Sequence, residues 1–580
     1  MRRAVLLVLS LASLVAVVLA PGPTGWGPSQ WGVQSSDPEV PRYRAVSGAV
    51  LGCPELAAPE GTASVLAGLV AAGRPSAQPE ASAQPGSAQP EASAQPGSAQ
   101  PEASAQPGES AQPEASAQAE QADVGQASLQ PIDSQRDLAR LPAVGEPVTL
   151  LVAQRSQPPI LLRSSGSWAP DSLAGIATRS VRGAATGLAS AACLAPGTSW
   201  WFVGAGSQPG RGSALYVSNP APEPARFDLS VLARSGPVEA LAGKGIDLGP
   251  RSSVRLRLDA LVPDEELLAI HVRATSGRVA AALRDVALVV DDQPQGVDYL
   301  PPVREPTTSL WIGAIPGGEG ARDLVLANPE AQFATVSLGL LTESGRMPLP
   351  GLEAVAVPAR SVVTTSLDGL LDGQSATLQL DSDVPITGAV RATFGGSRAD
   401  VSWVGAAPLI EAPNDLAGAA VVPTSRALAT TVTVAAPDGP VSGTLQVMGT
   451  GAASGSIFTR RGVTRAQATE QTPEDVPRRG VAVVTGGSTT AAPIDLDVPA
   501  GGQVTVTVEG TEEWALAHLV WRSAPGAGPA VVSHLSLASR TPLATGYSWW
   551  PVASAVAEVP VREDVGVLAG AATRAPLTVG

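Results

Sequence analysis

Residues 215–236 read LYVSNPAPEPARFDLSVLARSG, and residues 324–345 read LVLANPEAQFATVSLGLLTESG. Each holds two short runs in which apolar and polar residues alternate, parted by an Asn-Pro turn and closed by Ser-Gly. Alternation with period two is the signature of a half-buried strand, and Asn, Pro and Gly supply the turns. Asn219-Pro220 matches Asn328-Pro329, Ser235-Gly236 matches Ser344-Gly345, and Asp259 matches Asp368, all 109 residues apart. A fixed spacing of that size marks a repeated β unit. Arg284 and Arg391 match near the ends of the two units.

The pattern extends both ways from this pair. Residues 432–451, VTVAAPDGPVSGTLQVMGTG, open a third copy with Pro437 in the proline position, and VPAGGQVTVTVEG (498–510) matches VPARSVVTTSLDG (357–369). A fainter copy precedes them, with Pro59 in the proline position and its chain interrupted by residues 75–122. In this reading the interruption follows the second strand, in the loop that carries the insert 452–492 of the last copy. Units of 100–110 residues with alternating strands suit an all-β fold of tandem immunoglobulin-like β-sandwich repeats. A β-propeller is the alternative, but its blades need a shorter period of about 40–50 residues. The expected organisation is 1–20 as signal peptide or anchor, a split unit 44–195, units 196–305, 306–412 and 413–525, and a C-terminal β extension 526–580.

The interruption itself repeats SAQPEASAQPG with an 11-residue period and carries six Glu, no base and no aromatic residue. Such a composition cannot bury enough apolar surface to offset the entropy of ordering, so a disordered, extended coil is expected. At the start of the chain, Arg2 and Arg3 precede an apolar run from Ala4 to Ala20. A helix of that length spans about 26 Å, which suits a short anchor helix or a signal segment. Two preceding positive charges orient it with the rest of the chain outside the cytoplasm. The favoured location is the cell membrane, single-pass, with secretion after signal cleavage as the alternative. In an oxidising location two cysteines pair, so Cys53 and Cys193 are expected to form a disulfide.

The 580 residues carry a formal charge of −15, which argues against a nucleic-acid partner. Three His and two Cys are too few for a Cys/His zinc site, and neither a metal nor a cofactor is expected. No nucleophile or phosphate-loop motif is present, and His271, His518 and His534 are far apart, so no catalytic residue is assigned. Two groups could meet a partner. Trp200, Trp201, Trp549 and Trp550 form pairs whose faces could stack on sugar rings if exposed, or fill the core if not. Arg460, Arg461, Arg465, Arg478 and Arg479 form a basic patch that could grip anionic wall polymer or headgroups.

A Cys-Pro follows the apolar start, a later Cys precedes a Trp-rich stretch in CLAPGTSWWFVGAG (193–206), and Asn-Pro-terminated strands and Leu-Asp pairs come after. In this order of motifs the chain resembles the actinobacterial secreted or membrane-anchored family of unknown function 5719. The resemblance implies an envelope location and no chemistry. The expected function is a non-catalytic envelope protein that presents β-sandwiches for scaffolding or partner binding, the partner being an envelope protein or wall polymer. The alternatives are a glycan-binding adhesin and an unfamiliar hydrolase.

Overall fold

The structure is a computed structural model. It describes residues 43–45, 48–57, 62–70, 125–410 (without 153–155, 170–171, 181–184, 288–293, 304, 372, 395–398 and 408), 418–449 (without 425–427), 456–459, 462–464, 481–484, 489–490, 493–509, 515–538, 544–548 and 558–560. Residues 1–20, expected as an anchor or signal segment, and residues 75–122 lie outside the described residues. No described helix is long and apolar enough to cross a membrane.

The described chain is nearly all β, built from several antiparallel sheets. One two-sheet topology recurs four times. In the second unit the first sheet runs Ser199–Ala205, Leu268–Ser276, Ala225–Ala233, with Gly236–Val238 and Ile246–Leu248 both paired to the last of these. Its other sheet runs Ser252–Arg257, Ala214–Asn219, Ala280–Ala287, Gly296–Leu300. The third unit repeats this order, but there one 19-residue strand, Ala376–Phe394, passes from the first sheet into the second. The second unit breaks the same path at Gly277, whose φ of 70° suits a residue without a Cβ.

The repeated turns have a physical cause. Asn219 and Asn328 are both fully buried at the ends of equivalent strands. Asn328 Nδ2 donates to the carbonyls of Gln332, Val357 and Pro358, and its Oδ1 accepts from Glu330 N. Asn219 Nδ2 donates to Glu223 and Gly249, and its Oδ1 accepts from Ala221 N. The side chain thereby replaces backbone partners that a turn would otherwise leave unpaired. Arg284 pairs in register with Tyr299, as Arg391 does with Trp403, so the two arginines are equivalent.

The first and fourth units follow the same order with changes. In the first, Thr62–Val70 pairs with Ser172–Ser180 on one side and Val148–Val152 on the other, the position of a second strand. The low-complexity stretch therefore leaves between the second and third strands, because the third, Gln126–Pro131, belongs to the other sheet. In the fourth unit the insert instead follows the third strand, Val441–Gly449. The expectation that both inserts share one loop does not hold. The fourth unit also extends beyond residue 525: Val531–Ala538 pairs with Leu428–Ala435 and with Ala544–Ser548, so these strands are its own and no separate extension.

The units are docked within one compact body, Ala45–Ala557. The last strand of each unit touches the last strand of the next. Gly187–Ala192 meets Gly296–Leu300, which meets Asp400–Gly405, which meets Ala544–Ser548, which returns to Gly187–Ala192. Four units thus close into a ring around four axial strands. Closure of this kind is shared with propellers, but each unit here is a pair of sheets rather than a single one. One apolar cluster runs through both the second and third units, from Phe202 and Phe227 to Leu326 and Trp403.

Candidate functional site

Strands that meet edge to edge at an axis bury N–H groups that no ladder satisfies, and each such group is costly unless it finds an acceptor. Two carboxylates supply the acceptors. Asp298, in the second unit, accepts from Ser190 N of the first at 3.4 Å and from Trp403 N of the third at 3.1 Å. Asp400, in the third unit, accepts from Leu188 N of the first at 3.1 Å and from Val297 N of the second at 3.2 Å. Both are wholly buried. Glycine is required beside them: a Cβ on Gly296, where φ is 111°, would lie 2.5 Å from Asp400 Oδ1.

A third buried carboxylate joins the second and third units. Asp285 accepts from Arg211 Nε at 3.1 Å and Nη2 at 2.8 Å, from Ser213 Oγ at 2.8 Å, and from Trp403 Nε1 at 3.2 Å. The fork of Arg211 matches the carboxylate plane, which makes this a strong pairing. Trp403 lies against Gly204, where a Cβ would come within 2.2 Å of the indole. The Arg391 guanidinium sits 6.0 Å from the centre of the Trp403 ring. Burial, and then the like charge of Arg211, hold Arg391 below the usual arginine range, while Asp285 and Asp323 oppose them. Asp285 spends its oxygens on four donors of the protein itself. The axial cluster is built to hold units together.

The disulfide joins Cys53 to Cys193. It ties the end of the first strand of the first unit to the end of its last, across the chain interruption. A shallow crevice, open to solvent, adjoins it and is lined by Glu55, Tyr216 and Ser218 among others.

The aromatic candidates divide. Trp201 is 6% exposed and stacks on His271 with ring centres 4.3 Å apart, and its indole N–H donates to Glu305. Trp200 is half-buried and donates to the carbonyl of Val279. Trp549 and Trp550 lie outside the described residues, as do Arg460, Arg461, Arg465, Arg478 and Arg479. The described strands of that insert lie at sheet edges. Ser456–Thr459 pairs with Gln503–Glu509, and Val481–Val484 pairs with Val148–Val152 of the first unit.

The histidines also have defined places. His271 Nε2 lies 2.8 Å from Ser199 Oγ, a nucleophile–base spacing. Among the described residues no carboxylate is hydrogen-bonded to its ring. Burial lowers its pKa, with Glu305 opposing. His518 and His534 are buried in the fourth unit, and desolvation pushes both down to about 3. Sequence reasoning passed over Asp285, Asp298, Asp400 and Arg211. A lone Asp within an apolar strand, as in Val297-Asp298-Tyr299, was the available signal.

Fold and site together define an all-β protein whose two-sheet units close into a ring pinned by buried carboxylates. The chain belongs to a family of unknown function, DUF5719, whose model matches residues 150–472, more than half of its length. That span holds the whole of the second and third units and all three buried carboxylates. No curated protein matches the chain.

Proposed function

We propose that this is a non-catalytic, extracytoplasmic cell-envelope protein that presents a rigid ring of immunoglobulin-like β-sandwiches for scaffolding or partner binding. In this reading residues 4–20 hold it at the membrane and residues 75–122 act as a spacer. The Cys53–Cys193 disulfide carries the reading, because such bonds persist in oxidising compartments and are rare in the cytosol. The coverage of Trp201 by His271 supports scaffolding over sugar stacking at that residue. The strand order departs from that of immunoglobulin domains, since the two final strands of each unit join the sheet of its second strand and not of its third.

The test is the intact mass of the native protein taken from envelopes and alkylated without reduction. A full-length mass with neither cysteine labelled is the expected result. A mass lacking about 20 residues would replace the anchored protein by a released one. Alkylation of both cysteines in the native protein would remove the support for an extracytoplasmic location.

A further inference from the structure

The second sheet of every unit ends in an equivalent edge strand: Val148–Val152, Ser252–Arg257, Ser361–Ser366 and Gln503–Glu509. An open edge presents a row of unpaired N–H and C=O groups that invites another strand. The chain itself shows that this edge accepts one, since Val148–Val152 and Gln503–Glu509 are each capped by an antiparallel strand of the fourth unit's insert. Those capping strands, Val-Ala-Val-Val and Ser-Ile-Phe-Thr, are uncharged and rich in β-branched or aromatic residues.

The two remaining edges differ. Ser252–Arg257 exposes Arg255 and Arg257, and charged side chains on an edge oppose pairing. Ser361–Ser366 reads Ser-Val-Val-Thr-Thr-Ser, with no charge, no proline and four β-branched residues. It pairs with Arg322–Asn328 on one side, and its other side has no strand among the described residues. Thr364 and Ser366 are exposed. It has the character of the capping strands and lacks the exposed arginines of its counterpart, although its first two residues, Ser361 and Val362, are buried beside the second unit.

We propose that Ser361–Ser366 is a self-association edge, which pairs antiparallel with the same strand of a second copy about a two-fold axis. Charge at the strand ends selects this occupant. Exposed Arg360 precedes the strand and exposed Asp368 follows it. Antiparallel self-pairing brings Arg360 of one copy within one residue of Asp368 of the other, at both ends. In that register exposed Thr364 meets Thr364 of the other copy, a favourable cross-strand combination. A two-fold contact also closes, so it stops at a dimer rather than growing into a fibre. The short strand places the contact among weak, reversible interfaces. The inference rests on strand pairing and is independent of the envelope reading.

Sedimentation of the full-length chain in detergent micelles, from low to high micromolar concentration, tests it. A reversible dimer is expected for the wild type. Thr364→Lys, on an exposed position, should weaken it about tenfold by charging the edge. Arg360→Asp alone should also weaken it, and Arg360→Asp combined with Asp368→Arg should restore it. Unchanged circular dichroism and melting of the variants would exclude misfolding as the cause. A wild type that stays monomeric throughout overturns the proposal. So does a dimer indifferent to Thr364→Lys, which would place association elsewhere, such as in the apolar N-terminal run.

Discussion

Asp285→Ala should lower the first unfolding transition by about 3–5 kcal/mol, the range seen when one partner of a buried ion pair is removed. Arg211 would be left with its side chain only 11% exposed and no carboxylate to face. Ser213 Oγ and Trp403 Nε1 would lose their acceptor in the same step. Denaturant titration of the wild type and variant measures this. Because Trp403 sits at the seam of the second and third units, its fluorescence should change in that same first transition. A loss below about 1 kcal/mol would mean the group is solvated and does not join the units.

Acid is expected to weaken the fold through two histidines. His518 and His534 titrate near 3 in the folded chain because burial disfavours their charged forms. Unfolded, they titrate near about 6.5. Between these values the unfolded state binds protons that the folded state does not, so stability falls as pH drops. The contribution is complete above the unfolded value and is lost progressively down to the folded one. The fall from about 6.5 to about 3 corresponds to roughly 5 kcal/mol for each histidine at full depth. Among the described residues neither ring nitrogen of His518 has a hydrogen-bond partner. It is in register with Val421 and Met448, and Val421 abuts Gly175 of the first unit. His518→Leu should therefore flatten the stability profile between neutral and mildly acidic pH, and the double variant with His534→Leu should flatten it further. Parallel loss in variant and wild type would assign acid sensitivity to the carboxylates instead.

The unit was legible in the sequence because its signals are local. Asn219 and Asn328 bind carbonyls within their own turns or in the adjoining edge loop, so their spacing of 109 residues reports the repeat directly. Arg251, Arg360 and Gly501 occupy one matched position and all have positive φ, so even a backbone requirement recurs. Strand assignment in the first unit was less legible. Thr62–Val70 is apolar on both faces, and its Pro59 mimics a turn that elsewhere precedes the third strand. The ring was not legible at all. It depends on bonds such as Asp400 to Leu188, which lie 212 residues apart, and a lone Asp in an apolar strand does not name its partner. The edge strands of the insert were hidden for a related reason: Val481–Val484 completes a sheet more than 300 residues upstream.

Hydrogen exchange of the peptide covering Gly187–Ala192 reads out closure of the ring around the axial strands. This strand has a neighbour on one side, Ser172–Ser180. On its other side Leu188 N donates to Asp400 and Ser190 N to Asp298, both of other units. Four docked units predict protection of both amides close to that of the core strands, lost on Asp298→Ala and Asp400→Ala. Fast exchange at Leu188 and Ser190 in the wild type, with the core strands still protected, would mean the units fold but do not close.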